Sequence, residues 1–166
     1  MKFANRVSTI LGAFLCLVLT APSLQAEDSP TILERFTGTW IASGNSFGDD
    51  VEVKMTWSKI LSGQFYRIDY QINMMNNFSG VGHYKATKER TTSGYWADNS
   101  GDLHPLSVEF KDNAIVTIWG VAGKKQGRTE YRLVNKDQAT VTDWLLTAGI
   151  WNKFNHGEFV RTPVED

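Results

Sequence analysis

A single cysteine, Cys16, stands in the 166 residues, and it lies inside an N-terminal apolar run. Such a chain cannot staple itself with an internal disulfide or build the multi-thiolate sites that hold structural zinc. Long apolar stretches are missing too: the run from Ile10 to Leu19 is about half of the ~20 residues a membrane-spanning helix needs. There is no excess of basic charge, with 17 Lys and Arg against 18 Asp and Glu, and no basic stripe, which excludes nucleic acid and anionic membrane surfaces as partners. The zinc-peptidase signature His-Glu-x-x-His is also absent, and no catalytic residue is assigned.

The first feature present is an export signal. Lys2 and Arg6 precede the apolar run, and Ala21-Pro22-Ser23-Leu24-Gln25-Ala26 ends on a small residue before Glu27-Asp28. This is the order of a secretory signal peptide. Residues 1–26 are therefore expected to be removed, leaving 27–166 as one domain, periplasmic or secreted, with no stable membrane anchor. Bulky Phe14 and Leu15 before Cys16 argue against a lipid attached there. The remaining chain has no cysteine and carries 15 basic against 18 acidic residues, a net charge of −3.

Helix signals are confined to one place, where Ser29-Pro30 ahead of Thr31-Ile32-Leu33-Glu34-Arg35 predicts a capped turn with proline at the first helical position. Beyond it, Val, Ile, Thr and aromatic residues alternate with polar ones. Val51, Val53, Met55 and Trp57 share one face, and Tyr66, Ile68, Tyr70, Ile72 and Met74 share another, opposite Arg67, Asp69, Gln71 and Asn73. Thr129, Tyr131 and Leu133 alternate with Arg128, Glu130 and Arg132 in the same way. Period two with one apolar face means half-buried antiparallel strands. Turn signals such as Ser62-Gly63, Asn76-Asn77, Asn99-Ser100-Gly101-Asp102, Asp112-Asn113, Gly123-Lys124 and Ala148-Gly149 recur about every 8 to 12 residues. The prediction is all-β: about ten short strands joined in sequence and closed into an antiparallel up-and-down barrel, since closure removes both sheet edges. Pro105, inside the strand-like run Leu103 to Phe110, predicts a bulge or a break in the ladder.

Trp40 in Gly38-Thr39-Trp40 falls at the start of the first strand, where a large side chain can shut one end of a barrel. This motif after a short helix resembles the calycins, the superfamily of lipocalins and fatty-acid-binding proteins. The resemblance implies that Arg161, on the closing strand, lies across Trp40 as a structural closure. The order of Gly38-Thr39-Trp40, Leu61-Ser62-Gly63-Gln64-Phe65 and Gly94-Tyr95-Trp96-Ala97-Asp98 with Gly101 is also similar to a family of small bacterial exported barrels of unknown function, over nearly all of residues 31–162. A more distant similarity, to nitrobindin-like barrels, implies haem held through a histidine on a late strand, for which His156 is the candidate. His156 and Arg161 are five apart and so face opposite sides of a regular strand, unless a bulge at Gly157 intervenes.

Other chemistry is thin. His83, His104 and His156 lie on separate strands without metal-ligand spacing, and Gly48-Asp49-Asp50 offers too few oxygens for calcium, so no metal site is assigned. Asp69 and Asp143 sit in strand-like runs where a buried carboxylate could serve as acid or base. The barrel lumen is the natural site for a ligand, with Met55, Trp57, Tyr66, Tyr70, Tyr84, Trp96 and Tyr131 as its expected lining. The sequence thus predicts a monomer that takes a small apolar or amphipathic ligand and needs no cofactor. The alternatives are a haem barrel using His156, an enzyme using a lumen carboxylate, and a ligand-free module with a filled core.

Overall fold

Thr31 starts the only α-helix among the described residues of a computed structural model, which cover 30–46, 49–73 and 77–163. Its hydroxyl accepts from the Glu34 N–H at 3.3 Å while the Glu34 carboxylate takes the Thr31 N–H at 2.9 Å, a capping box that opens α1, Ile32–Phe36. The reciprocal cap places Pro30 before the helix rather than at its first position, which corrects the sequence expectation. The predicted signal peptide lies outside the described residues, as do Met74, Asn76 and Gly48. Among those described, no helix is long and apolar enough to cross a membrane.

Ten strands follow: β1 Gly38–Ser46, β2 Asp49–Ile60, β3 Phe65–Asn73, β4 Phe78–Lys85, β5 Thr91–Asp98, β6 Leu103–Lys111, β7 Ala114–Gly120, β8 Gln126–Leu133, β9 Gln138–Thr147 and β10 Ile150–Arg161. Each pairs antiparallel with its neighbour in sequence, and β10 returns to β1, so the sheet is the closed up-and-down barrel that the alternation predicts. The closing ladder sets Trp40 opposite Arg161 and Gly44 opposite Gly157. Gly157 therefore pairs regularly. The irregularity in β10 falls instead between Lys153 and Asn155 in the ladder with β9, around Phe154. Pro105 makes no bulge: it keeps register with Tyr95, and the β6–β7 ladder simply begins one residue later, at Leu106.

The end of the barrel beside α1 is solid. Ile32, Leu33 and Phe36 of the helix point inward and join Trp40, Met55, Trp57, Tyr66, Ile68, Tyr131, Leu133 and Phe159. Rings mesh closely here, with centroids of Trp57 at 5.6 Å from Phe36, 5.0 Å from Tyr84 and 5.3 Å from Tyr131. Burying one such side chain contributes about 1.5–3 kcal/mol, so a five-residue helix too short to persist alone is held by its three inward residues. Polar contacts fix its position around the rim. Arg35 donates to Asp112 O and Asn113 Oδ1 at 2.7 and 2.9 Å, and Lys59 of β2 pairs with Glu34 at 2.9 Å.

Arg161 completes this closure. Its guanidinium carbon stands 4.0 Å from the Trp40 ring centroid, while Nη2 donates to Arg35 O at 2.7 Å, Nη1 to Thr37 O, and Nε to Lys136 O at 3.0 Å. The Trp40 indole N–H donates to Phe36 O at 2.8 Å. The pair thus covers the barrel end and supplies donors to carbonyls that a helix terminus leaves without partners.

Candidate functional site

Away from α1 the same inward face stops being filled. A cavity of about 430 Å³ opens in the other half of the barrel, within the range of small-ligand pockets, about 300–1,000 Å³. Its walls are mainly apolar, from Ile72, Phe78, Trp96, Leu106, Trp119 and Leu145. What keeps it open is the placement of small residues beside two indoles. Trp96 of β5 lies against Gly80 and Gly82 of β4, and Trp119 of β7 lies against Gly127 of β8. A methyl group at Gly80 or Gly127 would overlap the indole. With no side chain beneath them, both rings lie against the barrel wall. Phe78 stacks on Trp96 at 6.5 Å and 13°.

The floor is polar. Thr117, Thr129, Asp143 and Asn155 are register partners in succession across β7, β8, β9 and β10, so they form one inward row. Asp143 Oδ1 accepts from the Thr129 hydroxyl at 2.5 Å and Oδ2 from the Asn155 amide at 2.8 Å. The β10 irregularity makes this row possible. A bulge lets two consecutive residues face one side, and both Phe154 and Asn155 line the cavity. Tyr70, Tyr84 and Tyr131 complete the floor from β3, β4 and β8.

Electrostatics follow from this enclosure. Burial pushes the Asp143 carboxyl above the ordinary carboxylate range, against the hydrogen bonds from Thr129 and Asn155. Burial also pushes the Tyr84 hydroxyl up to about 12, with a small further rise from the Asp143 charge, and Tyr70 and Tyr131 rise for the same reasons. All three stay neutral hydroxyls at any ordinary pH. Thr117 Oγ1 is buried with no hydrogen-bond partner among the described residues.

At the rim, Asp98, Asp102 and His104 bring ligand-type atoms within 4.8 Å of one another. Burial works to raise the Asp98 carboxyl, but hydrogen bonds led by that from Ser100 outweigh it and hold it low. Lys125 Nζ already sits 3.1 Å from Asp102 Oδ2 and His104 Nε2 3.5 Å from the same oxygen, so side chains of the protein already engage that carboxylate.

Of the lining residues expected from the sequence, Tyr70, Tyr84, Trp96 and Tyr131 border the cavity. Met55, Trp57 and Tyr66 face inward but belong to the solid half, at 0, 1 and 3 % exposure. Asp69 lies on the outer face, paired with Arg67 at 2.5 Å, whereas Asp143 faces the lumen. The three histidines diverge: His83 stacks on Tyr95 outside, His104 borders the cavity, and His156 is exposed. His156 Nδ1 hydrogen-bonds the Thr142 hydroxyl at 2.9 Å on the outer surface, so haem held through His156 in the lumen does not fit this chain. Sequence reading missed the walls Phe78 and Trp119 and the floor residues Thr129 and Asn155. Parity could have found Thr129, which shares the inward face of Tyr131 and Leu133.

These features define a closed antiparallel barrel, helix-sealed at one end and hollow at the other. No family model and no curated protein matches the chain.

Proposed function

We propose that the chain is an exported binding protein that carries one small apolar or amphipathic molecule in the hollow half of its barrel. The observation that supports this most is the cavity of about 430 Å³, with apolar walls and a polar floor. Protein interiors hold few voids larger than a water molecule. A fold that keeps such a space, with two indoles held against its wall, is shaped for an occupant. The mixed lining favours one with both apolar and polar parts.

Native mass spectrometry of protein purified from its producing cells tests both halves of the reading. A chain mass starting at Glu27 is expected, with a bound species released on denaturation and held less well in Leu145→Trp, which narrows the cavity. A folded chain without adduct, taking up no apolar fluorophore, would overturn the binding function. A mass that includes residues 1–26 would overturn export.

A further inference from the structure

We propose that the ligand carries a protonated amine, seated on Asp143, with its apolar remainder against the walls of Trp96 and Trp119. The inference rests on the lumen as the binding site and adds the chemical class of what enters it.

Asp143 is a carboxylate deep in a mostly apolar enclosure, and the groups that hold it are neutral. Thr129 donates to one oxygen and Asn155 to the other. Among the described residues no lysine, arginine or histidine forms an ion pair with it. The basic side chains that border the cavity, His104 and Lys125, lie beside Asp102 at the rim. A carboxylate has room for about four hydrogen bonds, and two sites on Asp143 are filled. Burying an ionised carboxylate without a cation is costly, so an incoming positive charge gains more here than it would beside a solvated acid.

The surrounding groups suit an ammonium in particular. An ammonium has three donors and no acceptor, and needs oxygen partners besides the carboxylate. Tyr70, Tyr84 and Tyr131 converge on the floor as neutral hydroxyls, each able to accept. An anionic headgroup meets the reverse: no basic side chain on the floor among the described residues, and a carboxylate that must stay protonated to avoid like-charge repulsion. A neutral alcohol can still donate to the carboxylate but brings no opposite charge to it.

Three probes of equal chain length, octylamine, octanol and octanoate, separate these cases when titrated into the full chain at neutral pH. The fluorescence of the cavity residues Trp96 and Trp119 supplies the signal. Octylamine should bind at least about tenfold tighter than octanol, with octanoate weakest, and Asp143→Asn should bring octylamine to within about threefold of octanol. This ranking in the unmodified protein decides the matter even where the variant folds poorly. Equal binding of all three, or tightest binding of octanoate, would overturn the amine while leaving the lumen as the site. Failure of every probe to bind would overturn both.

Discussion

Trp40 and Arg161 do different work within one contact. The indole fills the barrel end at 0 % exposure, whereas the guanidinium, whose side chain keeps 24 % of its surface, ties carbonyls of α1 to the turn before β9. Trp40→Ala should therefore cost about 3–5 kcal/mol, as large aromatic truncations do. Arg161→Ala should cost less, about 1.5–3 kcal/mol for hydrogen bonds to a charged donor. Arg161→Lys should recover little, because an ammonium is a point charge and cannot span separate carbonyls as the planar fork does. Urea unfolding of the three variants measures this order, and Arg161→Ala as damaging as Trp40→Ala would assign the closure to the cation. Asp143 makes a prediction of the opposite sign. Its folded pKa lies above the unfolded value of about 3.9, so the folded chain holds that proton to higher pH. Wild type should lose stability as pH rises from there through the folded value. Asparagine does not titrate, so the Tm advantage of Asp143→Asn over wild type should grow across that window and then level off. Tyr70, Tyr84 and Tyr131, which face Asp143, remain neutral throughout, and a pH-independent difference would show that Asp143 ionises as freely in the fold as in the unfolded chain.

At the scale of strands, the hollow depends on pairs of small and large residues on neighbours. Gly127→Ala places a methyl where Trp119 lies and should force the indole into the lumen or strain the β7–β8 ladder, at about 1–3 kcal/mol. Uptake of an apolar fluorophore should fall with it, and Trp119→Leu in the same chain should restore uptake. A double-mutant cycle of stability then reads the coupling, and additive costs would show the two sites to be independent. Strand faces were legible because period two with one apolar side leaves a single register that buries it. The same parity separates the two acids. Asp69 shares the outer face of Arg67 and Gln71, and Asp143 shares the inward face of Val141 and Leu145. The irregularity at Phe154 was not legible, since nothing around it differs from an ordinary strand and the expectation fell on Gly157. Without that shift Asn155 would not meet Asp143.

Across the whole molecule, the division into a solid and a hollow half is what the sequence concealed. Met55, Trp57 and Tyr66 have the same inward parity and the same kind of side chain as Tyr70, Tyr84 and Trp96. Only height along the barrel axis distinguishes them. That height follows from strand stagger and from how far Phe36 reaches in, both of which are long-range. The closing ladder has a different consequence. Because β1 and β10 are bonded neighbours, with Thr162 donating to Thr39 O at 2.9 Å, the start of the first strand and the end of the last lie side by side at one end of the barrel. Such a polypeptide is a ring of hairpins in which one link is left unmade, and where the break falls is arbitrary. A circular permutant that joins the old ends by a short flexible linker and begins at Lys124, in an exposed turn with open space around Gly123, should reach the same ten strands. Far-UV circular dichroism and a cooperative melt would report success, and failure to fold would mean that β1 must be made before its neighbours can close around it.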